Sequence, residues 1–277
     1  MTVLNQIDRG IKASFPVRRM DFNFEHVDKY FYDGQPAMSM FMAAMQAYFP
    51  DGEQFFIDSV RHYRPQITDS QLDKDIGAFI GQEAMHGKEH RLVNVELLAR
   101  GVNINPPIKH LNHVLDAVKR YAPNRFKLAI TASLEHFTAV LGTAMLKNES
   151  FVEAFRDPGL HNLIRWHALE ECEHKAVAFD TYMQVGGTYP ERVIAMLIAT
   201  LGIAIAFSSA TSYLLYRDQQ LGNIRSIAHL GKTLFGRRGL FRPTITEYLD
   251  WYRPKFHPND HDTKALEQFW KVKLQLS

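Results

Sequence analysis

The stretch DPGLHNLIRWHALEECEH, residues 157–174, decides the fold. Asp157 followed by Pro158 reads as a helix start. The aspartate side chain can accept from free N–H groups of the first turn, and the fixed φ of proline suits the first helical position. Apolar Leu160, Leu163 and Ile164 then recur at helical spacing. On that helix His167, Glu171 and His174 fall within one narrow stripe, with Leu163 and Ile164 close beside it. A carboxylate and two imidazoles on an inward stripe are costly to bury unless something compensates them, and a metal is the natural candidate.

The signature occurs again upstream, in GQEAMHGKEH, residues 81–90. Here Glu83, His86 and His90 share a stripe near Phe79. Each Glu-x-x-His has another Glu at hairpin distance before it: Glu53 lies 30 residues ahead of Glu83, and Glu135 lies 36 ahead of Glu171. Either gap accommodates one helix down, a turn and another back. A Glu from each of two helices, with Glu-x-x-His from each of two others, is how a four-helix bundle builds a site for two metal ions. Four carboxylates balance two divalent charges, and the imidazoles add neutral nitrogen donors that suit iron and manganese.

Chance alone gives roughly 0.7 Glu-x-x-His pairs in a chain of this composition, so the two pairs by themselves prove little. Their weight comes from lying in separate helical stretches, each with its partner Glu. The bland alternative is a pair of exposed polar faces. Glu135 sits in an apolar run from Leu128 to Leu146, whereas Glu53 has Asp51 and Asp58 as rivals across the Pro50 kink. His90 reads as a further ligand or as an outer partner of one. Glu170 reads as a group that orients an imidazole of the facing helix, or as an ordinary exposed Glu. Cys172 reads as packing. No catalytic residue beyond the ligands stands out.

Around these helices the pattern is all-α. A helix kinked at Pro50, or two stacked pieces, covers the region from Ala37 through Val60. Thr68 and Asp69 cap the next, which stops at Gly101. A shorter helix runs from about Lys109 to Arg120, another from Asn124 to about Leu146, and the helix begun at Asp157 is expected to continue to Gly186-Gly187. No segment alternates with period two, so no sheet is expected. The reading is one helical domain over 1–277, with a metal-binding bundle at about 36–187, an apolar helix at about 190–219 and a C-terminal helical extension at about 220–277.

The chain is 46% hydrophobic and 22% charged, which suits a folded protein, and its net charge of +2 offers no basic field for nucleic acid. A single cysteine, Cys172, excludes an internal disulfide and a cysteine-based zinc cluster, and fits a reducing compartment. With no apolar core in the first twenty residues to act as a secretory signal, the expected location is the cytoplasm. Val193 to Tyr216 carries no charge between Arg192 and Arg217. It is long enough to cross a bilayer, yet its serines and small residues equally suit a buried or oligomer-forming helix. Membrane association through 193–216 and a homo-oligomer are therefore both expectations.

At its ligand positions, within residues of about 50 to 175, the chain resembles the ferritin-like di-iron carboxylate superfamily. The extra imidazole of His167-x-x-x-Glu171-x-x-His174 is similar to the p-aminobenzoate N-oxygenase family, and implies a set of three His and four Glu: Glu53, Glu83, His86, Glu135, His167, Glu171 and His174. Over its full length it resembles a bacterial family of predicted metal-dependent hydrolases. Pro16-Val17-Arg18-Arg19, Phe49 to Glu53, Gln82 to His86, Trp166 to Asp180, and Tyr252 to Pro254 with Phe256 to Pro258 carry that likeness. The ligand pattern leads to the expectation of a di-iron oxygenase or oxidase. It would hold two iron ions, with manganese or zinc as alternatives, and use O₂ and an electron donor to oxidise a small aromatic or lipophilic substrate. The alternative is a dinuclear metal-dependent hydrolase, and a third reading is a non-catalytic metal-binding or membrane-associated protein.

Overall fold

A computed structural model describes residues 12–276, so most of the N-terminal stretch read for a secretory signal lies outside the described residues. Helix α1 (Pro36–Tyr63) opens with proline in its first turn and passes straight through Pro50. Proline cannot donate to the carbonyl four residues back, which is that of Gln46. That freed carbonyl accepts from Asn94 Nδ2 at 3.1 Å, so the break is healed from the neighbouring helix and α1 stays in one piece. Helix α2 (Ser70–Ala99) is capped by Asp69, whose side chain accepts from the N–H groups of Gln71 and Leu72. It ends at Gly101, where φ of +80° favours glycine.

Helix α3 (Asn105–Tyr121) is strongly two-faced and mostly exposed, and α4 (Asn124–Lys147) follows it. After the short α5 (Glu149–Glu153) comes α6 (Pro158–His174), capped by Asp157 through Leu160 N–H. The helix expected to reach Gly186 stops instead at His174. A new one, α7 (Val177–Gln184), begins beyond Ala176. No Pro or Gly marks the break; the Lys175 ammonium there donates to the carbonyl of His261 and to Thr263 Oγ1, tying the chain to its C-terminal segment.

Then come α8 (Tyr189–Arg217), α9 (Ile224–Phe235), α10 (Ile245–Asp250) and α11 (Lys264–Lys273). Among the described residues there is no strand, only an isolated bridge between Tyr32 and Phe155.

Helices α1, α2, α4 and α6 form a bundle, with α1 against α2 and α4 against α6. The α4–α6 approach is close at Gly142, where a Cβ would stand 2.9 Å from the Ala168 carbonyl oxygen. Two large apolar clusters lie at the ends, one around Met38, Phe31, Leu97 and Trp166, the other around Phe79, Val60, Tyr182 and Trp251. The C-terminal extension is fastened by Arg192, buried among the rings of Phe179, Tyr189, Trp251 and Phe256 and donating to the carbonyls of Trp251, Arg253 and Phe256. Among the described residues two helices are long and apolar enough to cross a membrane. Of their most apolar windows, that of α4 is 72% buried and that of α8 only 22%. The apolar helix is therefore not a core helix, although one face of it packs on α1 and α4.

Candidate metal centre

Between the two apolar clusters the bundle interior turns polar. Glu53 on α1, Glu83 and His86 on α2, Glu135 on α4, and His167, Glu171 and His174 on α6 are all buried, none more than 6% exposed. Every residue of the expected ligand set arrives at one place. Asp58, the rival of Glu53, instead lies on the surface beside Gln54 and Arg61. Gly87 leaves room for Glu53: a Cβ there would come within 3.2 Å of Glu53 Oε2.

The outer contacts decide which nitrogen of each imidazole faces inward. Gln82 donates its amide nitrogen to the Pro16 carbonyl and to Glu173, so its oxygen faces His174 and accepts from Nδ1–H at 2.9 Å. His174 Nε2 is thereby turned to Glu135 (3.3 Å), Glu83 (3.4 Å) and Glu171 (3.5 Å). Glu170 accepts from His86 Nε2–H at 3.0 Å, leaving Nδ1 towards Glu83 at 3.2 Å. Glu170 is itself held by Arg18 (2.8 Å) and the Trp166 indole N–H (2.9 Å). The buried Glu170 therefore faces an imidazole of the opposite helix.

His90 stands behind His167. Its Nδ1 donates to Gln46 Oε1 at 2.5 Å, and its Nε2 accepts from His167 Nδ1 at 2.6 Å. That chain turns the His167 Nε2 lone pair inward, 2.8 Å from Glu171 Oε1. Rings pack this scaffold in place: His86 stacks on His167, Trp166 meets His86 edge-on, Phe79 meets His174 edge-on, and Phe49 lies against His90.

A metal fits. Both oxygens of Glu53, Glu83 and Glu135, with Glu171 Oε2, His86 Nδ1 and His174 Nε2, are buried and have no hydrogen-bond partner. Unpartnered polar atoms of this kind are expensive in a protein interior, and here they converge. Donor atoms of Glu53, His86 and His167 lie within 4.8 Å of one another, as do those of Glu83, Glu171 and His174. Glu171 reaches both groups, Oε1 towards His167 and Oε2 towards His174, and Glu83 Oε1 lies near both His86 and His174.

The chain's own charges show what an ion would relieve. Burial, with the carboxylates of Glu83 and Glu171, drives the pKa of Glu53 well above the usual range. Burial likewise pushes Glu135 up to about 8, against the pull of His174. For His174, burial disfavours the charge but Glu171 and Glu135 outweigh it, and its pKa is well raised; for His86, Glu170 and Glu83 do the same. Burial also acts on Glu171, but His174 and His167 overcome it and hold the carboxyl well below the ordinary value. His90 and His167 are lowered, first by burial and then by neighbouring imidazoles. Protons thus occupy the inward faces of His86 and His174, where an ion would displace them.

Sequence reasoning missed Gln46, Gln82, Arg18 and Trp166. Three of them fall in or beside the stretches that carry the family likeness, but an amide or guanidinium that orients a ligand has no fixed spacing from it.

The chain belongs to the family described as "predicted metal-dependent hydrolase", whose model matches residues 16–262. No curated protein and no solved structure matches it. The match overturns the expectation of an oxygenase, since the family's description is hydrolytic, and the likeness to the p-aminobenzoate N-oxygenase family has no support in these comparisons. The physical reason is that carboxylate and imidazole donors serve any divalent ion, so the ligand list does not select redox chemistry.

Proposed function

We propose, for this member of the metal-dependent hydrolase family, a dinuclear centre that hydrolyses an ester or phosphoester bond. Glu53, Glu83, His86, Glu135, His167, Glu171 and His174 would hold the two divalent ions. The observation that carries the reading is the convergence of orphaned, buried carboxylate oxygens on two overlapping donor groups. Two divalent ions, when bound, supply Lewis acidity and lower the pKa of water.

The chain's residues do the rest. Arg18 and Trp166 hold Glu170, Glu170 holds the His86 Nε2 proton, and Gln82 holds the His174 Nδ1 proton, so each imidazole keeps one orientation. Phe49, Phe79 and Trp166 exclude bulk water from the imidazoles.

The test is a panel of p-nitrophenyl esters and phosphoesters, assayed with metal-stripped protein reloaded with zinc, manganese or cobalt. Hydrolysis that needs the ion and disappears in Glu171→Ala is the expected result. Turnover indifferent to chelation and to Glu171→Ala, or no turnover with any ion and either bond type, would contradict the reading.

A further inference from the structure

The surface formed by α8, α9 and α10 is apolar and basic at once. Ile194, Leu197, Ile198, Leu201 and Ile205 are each at least half exposed and fall on one stripe of α8. The opposite face, with Ala195, Met196, Ala199 and Leu214, is buried against the bundle. Helix α9 repeats the arrangement at smaller scale: Leu234 is buried, while Ile224 and Phe235 are 77% and 70% exposed on the outward side. Beside the middle of α8, Tyr248 of α10 lies 2.9 Å from Thr200 Oγ1, and Ile245 and Leu249 of the same short helix are more than half exposed.

Between 193 and 250 the charged residues are Arg217, Arg225, Lys232, Arg237, Arg238 and Arg242 against Asp218, Glu247 and Asp250, the last held by Arg253 and His261. Lys29 and Tyr30 already engage Asp218. All six cations are exposed, and none has an ion-pair partner among the described residues. Lys232, Arg237 and Arg238, with His229, line an open cleft of about 510 Å³ that also takes in Ser150, Asn148 and one acid, Asp33, which is paired with Arg156.

We propose that this face docks on an anionic phospholipid bilayer, α8 and α9 lying in the interface and the basic cleft receiving lipid phosphate. Apolar stripes beside Lys and Arg are what an interfacial helix needs, because area burial and attraction to anionic headgroups act together. Because α8 packs on α1 and α4 along one side, it lies on the membrane and does not cross it. A second copy of the chain suits the surface poorly. An isologous dimer would set the same unpaired cations against themselves. The inference is independent of the metal centre, which the bundle holds on its inner side.

The full-length chain is mixed with vesicles of phosphatidylcholine alone, and of phosphatidylcholine with phosphatidylglycerol in equal parts, and sedimented. Binding to the anionic vesicles only, weakened by added salt, is expected. Removing one basic residue should weaken it about fivefold, so Arg237→Ala with Arg238→Ala should cost roughly 25-fold. Leu201→Ser with Ile205→Ser should abolish binding even at low salt. Circular dichroism confirms folding, and because all four positions are exposed the fold does not depend on them. Absence of binding to either vesicle, equal binding to both, binding of soluble glycerophosphate without vesicles, or a solution dimer dissolved by Leu201→Ser would each overturn the proposal.

Discussion

The inside of the α1–α2–α4–α6 bundle and the outside of α8 invert the usual arrangement of a soluble protein. Carboxylates and imidazoles are sealed in the bundle with no more than 6% exposure, while Ile194, Leu201 and Ile205 stand in solvent at 51%, 62% and 56%. Either choice costs free energy in the isolated chain, and each marks a place where something from outside the chain belongs. The two differ in how firmly they name that partner. The interior is geometrically specific, with orphaned oxygens converging on lone pairs aimed by Gln82, Glu170 and His90. The α8 face is specific only in chemistry: apolar, basic and open.

The comparison breaks first at the metal. Removing the ions should lower stability by about 4 kcal/mol for each ion lost, relative to protein at an ion concentration about 1,000 times Kd, read as a fall in Tm. The stripped protein should then show an unusual pH profile. The pKa values of Glu53, Glu135, His86 and His174 are raised by the fold, so the folded chain binds more protons than the unfolded one. Their contribution is complete below the ordinary values and is lost as pH climbs through the shifted ones, about 8 for Glu135. Thermal melts from pH 6 to 9 should therefore decline without metal and stay level with it.

Glu53→Gln sharpens the contrast by reversing sign. At pH 8 the stripped variant should melt higher than wild type, because the amide removes a carboxyl that the unfolded chain ionises freely and the fold sets dry against Glu83 and Glu171. The metal-loaded variant should melt lower. A purely structural Glu53 would lower both, and each kcal/mol is worth roughly 2–4 °C. Glu170→Ala comes next. It frees His86 Nε2 and should weaken metal affinity about 10- to 100-fold, seen by competition with a chromophoric chelator. The smallest effect belongs to the other region: Leu201→Ala should change stability by no more than about 0.5 kcal/mol in urea melts. Leu163→Ala, in the buried core, should cost about 2–5 kcal/mol.

How much of this was legible in the sequence follows from range. The caps at Asp69 and Asp157, the stop at Gly101 and the two Glu-x-x-His stripes are local rules, and each element appears where its rule puts it. The break after His174 was not legible, because its tether at Thr263 lies 88 residues away. Nor was the continuity of α1 through Pro50, which depends on Asn94 of another helix. The meeting of the expected ligand residues could be read from spacing. The roles of Gln46 and Gln82 could not, since an amide acquires them only when a second helix brings an imidazole to it. The exposure of α8 was equally hidden: an uncharged run reads the same whether it faces protein, lipid or water.

The most direct measurement is a calorimetric titration of metal-stripped chain with a divalent ion in buffers of different ionisation enthalpy, which counts ions and protons together. The account predicts two ions per chain, proton release on binding, and loss of this pattern in Glu171→Ala. Binding of one ion or none, no proton release, or an unchanged titration in Glu171→Ala would contradict it.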